Sequence, residues 1–393
     1  SVSVNDDFEA GSKVSTTKFG IMSYAFPEEV GVSRNALRKI DSLAKYAVRI
    51  KATPGCQVLV ARKGKIIFEK SYGYHTYKSK VRVKDNDLYD LASLTKIAAT
   101  TLAVMKLTED SVINLDDKLS KHLTELDTTN KKNITVRQVL THTAGFTYGF
   151  NGGVLGEEYE RRKMIFGPTA GQLENVIDDL AELPIAFQPG SRWNYGVSTD
   201  VVGRLVEIIS GQPLRTFLQE NILGPLGMTD TDFHVPDSKI DRFSNCYTVN
   251  DKGERVLLEA AGQSAYREGK VACYSGGGGL VSTAADYLKF AEMLRQGGIH
   301  DGHRLLGNRT VNFMTGNHMN GDLAEARLRQ FERLFRRWNI ATRNRTEETF
   351  GQGLYFVRFH VTDDHQRGVV RHVPGFIPVT QLFDLHAVQV SHP

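Results

Sequence analysis

From residue 94 to residue 107 the chain reads Leu-Thr-Lys-Ile-Ala-Ala-Thr-Thr-Leu-Ala-Val-Met-Lys-Leu, apolar or small on almost every side of a helix. A helix without a polar face belongs inside a domain large enough to enclose it. A chain of 393 residues with 40% hydrophobic content can build that enclosure, as one two-lobed domain or as two domains. Lys96 enters this helix with almost no other polar partner in sight, and a buried lysine needs a reason.

The reason offered by the local pattern is Ser93, three residues earlier and so on the same helical face. An amine beside a hydroxyl in a low-dielectric site loses hydration, which lowers its pKa and makes it a usable base near neutral pH. The spacing Ser-x-x-Lys also occurs at Ser15–Lys18, in a polar arm, and at Ser42–Lys45, where the lysine can point to water. Only the third copy opens a buried helix. A serine at a helix start is also a common cap, so the local pattern leaves both readings open.

Around this helix the sequence predicts sheet and helix in turn. Residues 34–50 carry Leu37, Ile40, Leu43, Ala44, Ala47 and Val48 at helical spacing, with Ser33 as N-cap. Residues 56–61 and 65–70 read as an antiparallel hairpin through Arg62-Lys63-Gly64. Helical patterns recur at 173–183 and 201–210, and strand-like segments return at 256–259, 354–359 and 379–383. The expected organisation is a polar arm over 1–20, a sheet-and-helix domain from 21–115 and 250–393, and a mainly helical lobe over 116–249, a mixed α/β architecture.

Two further segments carry candidate chemistry. Tyr195, in Trp193-Asn194-Tyr195-Gly196-Val197-Ser198, sits on a loop entering a helix. A tyrosine beside a lysine and a serine can shuttle a proton, because the ammonium favours the phenolate; taken alone it reads rather as a half-buried packing tyrosine. The run Gly276 to Gly279 allows close backbone approach or makes a tight turn before a helix capped by Ser282 or Thr283, and it lacks the Gly-Lys-Ser/Thr ending of a phosphate loop.

Other functions are disfavoured. The net charge is only +4, and the basic run 327–345, with Phe331, Leu334, Phe335 and Trp338 at helical spacing, reads as a solvated helix face, so no nucleic-acid partner is expected. No stretch approaches the roughly 20 apolar residues of a membrane span, so no stable membrane insertion is expected. The chain should be soluble, with cytoplasm and periplasm both open; it starts without Met, as after removal of an export signal or of a longer parent chain. Cys56, Cys246 and Cys273 are too sparse for a disulfide framework and read as small buried hydrophobes. No metal-ligand spacing appears, His142 reads as a loop or capping residue, and the Gly-x-Ser-x-Gly elbow of α/β-hydrolases is absent.

With Ser93-Leu94-Thr95-Lys96 and Tyr195 together, the sequence resembles the family VIII carboxylesterases, the esterase branch of the class C β-lactamase and penicillin-binding protein superfamily of serine hydrolases. The likeness extends to Leu140-Thr141-His142-Thr143-Ala144-Gly145, to Gly224-Pro225-Leu226-Gly227-Met228 and to Gly278-Gly279-Leu280-Val281-Ser282-Thr283. Residues 54–145 are also similar to the hydrolase-like module attached to some family-three glycoside hydrolases. The resemblance implies a β-lactamase/transpeptidase-like fold, with an antiparallel sheet flanked by helices and a largely helical lobe. It implies attack by Ser93 on a small or short-acyl ester, proton exchange through Lys96 and Tyr195, an acyl-enzyme hydrolysed by water, and no cofactor. The backbone N–H of Ser93 would supply half of the oxyanion hole, and a strand near His372-Val373-Pro374-Gly375 the other, making His372 and Gly375 candidate substrate contacts. Val197 stands where class C β-lactamases carry the Asn of Tyr-x-Asn, which favours an esterase over a weak β-lactamase or a D-amino-acid peptidase or amidase. A catalytically inactive module binding peptidoglycan fragments or a protein partner is the alternative of another class. Oligomeric state is not read from the sequence.

Overall fold

The computed structural model describes residues 23–127, 130–149, 153–162, 172–250 and 254–319. The strand-like segments expected at 354–359 and 379–383, the basic run 327–345 and the arm over 1–20 lie outside the described residues, as do His372 and Gly375.

The chain opens on a short strand, β1 (Ser23–Tyr24), and helix α1 (Arg34–Arg49). Ser33 caps α1 by accepting from the Asn35 backbone N–H at 3.2 Å. The hairpin follows as β2 (Gly55–Arg62) and β3 (Lys65–Gly73), with Gly55 opposite Gly73, Arg62 opposite Lys65, and a register shift between Val60 and Ala61. Lys63 and Gly64 both take positive φ, 51° and 74°, the two-residue turn whose twist matches the strands it joins. β3 is the middle strand, with β1 parallel on one side and β2 antiparallel on the other. Because side chains alternate along a strand, the adjacent residues Ile66 and Ile67 serve opposite faces. Ile67 packs with Val30 and Leu37 under α1, whereas Ile66 packs with Leu288 and Ala291 of the helix Ala284–Arg295.

β4 (Tyr89–Asp90) then leads into the buried helix. Its winding is not the regular α-helix that the apolar run suggests. Ala92–Leu94 is a 3-10 turn, Lys96–Thr101 is wound as a π-helix, and only α2 (Leu102–Glu109) is α-helical. Two threonine hydroxyls are engaged along it. The Thr101 hydroxyl donates to the Lys96 carbonyl at 2.7 Å, and the Thr100 hydroxyl donates to the Gly276 carbonyl at 2.6 Å, fixing the helix to the glycine run.

The central segment holds α3 (Val136–Leu140), α4 (Gly153–Arg161), α5 (Leu173–Glu182), α6 (Ser198–Ser210) and α7 (Leu214–Leu218). Among the described residues no strand lies between β4 and β5 (Cys246–Val249). β5 pairs with β6 (Arg255–Glu259), and the short β7 (Val281–Ser282) pairs with β4 before α8 (Ala284–Arg295). The main core joins the π-wound helix to α6. Ala98, Ala99, Leu102 and Val104 share it with Val201, Val202, Leu205 and Val206, all fully buried. Burying each of those branched side chains contributes about 1.5–3 kcal/mol. Cys273 is buried as expected, but Cys246 is exposed, because it opens a two-stranded hairpin at the surface. No helix of the described residues is long and apolar enough to cross a membrane.

The glycine run does end in a capped helix. The Thr283 hydroxyl accepts from the Asp286 N–H at 3.1 Å, while Ser282 is engaged elsewhere with Thr231 at 2.6 Å. Thr283→Ala is expected to lower the unfolding free energy by about 1 kcal/mol, measured by denaturant titration.

Candidate active site

Three distant segments converge on the buried helix. The 3-10 turn presents Ser93, half-buried, and the first π residue brings Lys96 beneath it, 5% exposed. The Lys96 ammonium has three protons and three oxygen acceptors: the Gly277 carbonyl at 2.5 Å, Ser93 Oγ at 3.1 Å and the Tyr148 hydroxyl at 3.2 Å. Tyr195 approaches from the other side, its hydroxyl 2.7 Å from Ser93 Oγ and its ring centre 5.0 Å from Lys96 Nζ. The structure thus brings together Ser93, Lys96 and Tyr195, although 102 residues separate Ser93 from Tyr195. At the other Ser-x-x-Lys spacing within the described residues, Lys45 pairs with Asp41 at 2.6 Å and lies on the surface.

The Tyr195 loop is held by the segment after α3. Asn194 N–H donates to the His142 carbonyl at 2.9 Å, and the Asn194 side chain donates to the Phe146 carbonyl at 2.8 Å. His142 sits at φ 55°, with its ring 5.0 Å from that of Tyr195. Burial, and then the Lys96 charge, push its imidazole down to about 3, so the ring is neutral. His142 is therefore more than the loop or capping residue its sequence position suggested. It is a wall of the site.

Two residues escaped the sequence reading. Tyr148 lies three positions beyond the Leu140–Gly145 stretch and reaches Lys96 directly; burial pushes its phenol well above the usual range, against the pull of the Lys96 charge. Asp200, in the first turn of α6, is fully buried, and one of its carboxylate oxygens accepts from Ser275 Oγ at 2.6 Å and from the Gly277 N–H at 3.0 Å. Burial pushes its carboxyl up to about 6, against the pull of Lys96, Ser275 and Gly277. Asp200 also explains the glycine beside it, since a Cβ at position 277 would stand 2.2 Å from its other oxygen. The run serves close approach as well as turning, and it delivers the carbonyl that receives Lys96.

These neighbours reverse one expectation. Burial does pull the Lys96 amine down, but Tyr148, Tyr195 and the Asp200 carboxylate outweigh it, and the net effect holds Lys96 above its ordinary value. Desolvation alone therefore does not set the charge of Lys96. A cavity lined by Tyr74, His75, Tyr77, Tyr89, Tyr247 and Arg255 lies apart from this cluster and contains none of the three convergent side chains.

Comparisons with known proteins point to one family. A family model described as Beta-lactamase matches residues 40–372. An uncharacterized protein of Mycobacterium tuberculosis is 32% identical over 276 residues, 66% of this chain and 67% of the relative. Esterase EstB of Burkholderia gladioli is 29% identical over 276 residues, 65% of this chain and 69% of the relative. Among solved structures, EstCE1, described as a hydrolase with promiscuous acyltransferase activity, superposes with a TM-score of 0.64 at 26% identity, over 73% of this chain and 78% of that one.

Proposed function

This chain belongs to the Beta-lactamase family, with a β-lactamase/transpeptidase-like fold, and from that premise we propose that it cleaves small or short-acyl carboxylic esters through an acyl-enzyme on Ser93. The observation that carries the reading is the single hydroxyl, Ser93 Oγ, with an amine at 3.1 Å and a phenol at 2.7 Å. The names of EstB as an esterase and EstCE1 as a hydrolase support it from outside the chain.

In the working form, the Lys96–Tyr195 pair holds one proton fewer than a full ammonium plus a full phenol. Ser93 Oγ attacks the ester carbonyl carbon as its proton passes to Tyr195, and the Lys96 charge offsets the charge moving between them. The Ser93 backbone N–H, in the first helical turn where amides lack internal partners, faces the developing oxyanion. Collapse of the tetrahedral intermediate expels the alkoxide, which takes the proton back from Tyr195. Water then repeats the sequence on the acyl-enzyme and frees Ser93. Val197, fully buried two residues after Tyr195, brings no side-chain amide to the site, and this favours esters over lactams.

Hydrolysis of p-nitrophenyl acetate, butyrate and a longer ester, with nitrocefin alongside, tests the reading. Ester turnover well above nitrocefin turnover is expected; the reverse order would make the chain a β-lactamase. Tyr195→Phe is expected to lower kcat by about 100- to 10,000-fold, as loss of a proton-transfer group does.

A further inference from the structure

Ala92, immediately before Ser93, has φ 43°, a conformation that residues bearing a Cβ avoid. Something must hold it. The Ala92 N–H donates to Asp90 Oδ1 at 2.7 Å, and the Leu91 N–H donates to the Leu280 carbonyl at 2.9 Å. Asp90 Oδ1 also receives the hydroxyl of Tyr266 at 2.9 Å, and the same hydroxyl lies 3.1 Å from the Gly278 carbonyl. Gly278 follows the residue whose carbonyl holds Lys96.

Tyr266 is itself immobilised. It is 4% exposed, its ring meets Phe243 edge-on at 5.9 Å, its carbonyl accepts from the Val235 N–H at 2.7 Å, and its own N–H donates to Ser264 Oγ at 3.0 Å. One rigid phenol thus touches the carboxylate that pins the nucleophile's turn and the backbone next to the acceptor of Lys96. Loss of hydration pushes Asp90 up to about 6 against the Ala92 amide and the Tyr266 hydroxyl, as befits a carboxylate held by protein donors rather than by water.

We propose that Asp90 and Tyr266 are positioning residues whose bridge holds the strained Ser93 turn against the Gly277–Gly278 backbone and so sets the nucleophile on Lys96. The inference rests on the reading of Ser93 as nucleophile. The bridge touches neither substrate nor the reacting atoms, so its removal acts on turnover rather than on substrate affinity.

The test measures steady-state hydrolysis of p-nitrophenyl butyrate by the full chain and by Tyr266→Phe, Asp90→Ala and Asp90→Asn. Active sites are counted by stoichiometric labelling with a phosphonate ester, and melting temperature is recorded in parallel. Per labelled site, kcat is expected to fall about 10-fold in Tyr266→Phe and about 100-fold in Asp90→Ala, with KM within about twofold, the penalty for displaced reacting groups. Asp90→Asn, which keeps an oxygen for the Ala92 amide, is expected to recover to within about fivefold of the parent. Unchanged kcat per site with only a lowered melting temperature would overturn the inference and leave the esterase reading standing. So would a loss carried by KM, or Asp90→Asn as impaired as Asp90→Ala. Absence of Ser93-dependent turnover in the parent would instead overturn the nucleophile assignment, and the inference with it.

Discussion

Replacing Ser93 by alanine is expected to abolish ester hydrolysis, with kcat/KM falling by at least about 1,000-fold, because loss of the nucleophile leaves only binding and oxyanion contacts to assist attack by water. The substitution removes one half-buried hydroxyl, whose neighbours Lys96 and Tyr195 keep other contacts, Lys96 with Gly277 and Tyr148 and Tyr195 with the ring of His142. The fold should therefore survive, and the melting curve of the variant should overlay that of the parent. Activity equal in the two proteins would remove Ser93 from the mechanism.

The second large effect is expected at Lys96. Lys96→Ala removes the ammonium that contacts three oxygens and lies 5.0 Å from the Tyr195 ring centre. Without it, charge on the Tyr195 oxygen loses the ammonium that offsets it as the proton of Ser93 moves. Turnover is expected to fall about 1,000-fold, comparable to the loss of a nucleophile's activating base. Lys96→Arg is expected not to restore it, since a planar guanidinium cannot direct three protons at Gly277, Ser93 and Tyr148 from a side chain 5% exposed. The variant also removes the donor to the Gly277 carbonyl and a cation that acts on the Asp200 carboxylate, so a lowered melting temperature accompanies the loss. Steady-state kinetics at matched folded fraction separate the two effects, and full activity in Lys96→Arg would show that charge alone suffices.

Much of this site was legible because its signals are local. The helix around Lys96 has no polar face, so burial of the lysine followed from composition and period. The cap at Ser33, the hairpin through Lys63 and Gly64, and the entry of Tyr195 into α6 likewise rest on residues within a few positions of one another. The parts that stayed hidden depend on distant packing. Asp200 sits in the first turn of α6, where an acidic residue ordinarily complements the helix dipole, and only the fold turns it toward Gly277 and Lys96. Tyr148 meets Lys96 across 52 residues of chain, and its one signal was its nearness to the Leu140–Gly145 stretch.

The charge of Lys96 shows the same limit. Desolvation is predictable from a buried helix, but the groups that outweigh it, Tyr148, Tyr195 and Asp200, all come from other segments. The left-handed backbone at Ala92 is hidden for a different reason, because no glycine marks it; the strain is imposed by contacts with Asp90 and, through it, Tyr266. The π winding over Lys96–Thr101 was invisible to a period-based reading, since an all-round apolar run does not distinguish it from a regular α-helix.

The most direct test of the central claim is peptide mass spectrometry after brief treatment with a p-nitrophenyl ester at low pH, or with a phosphonate ester that leaves a stable adduct. The expected result is one modification per chain on the peptide containing Ser93, absent in Ser93→Ala and strongly reduced in Lys96→Ala. A protein that turns over esters yet carries its adduct on another residue, or carries none while Ser93→Ala remains active, would contradict the account.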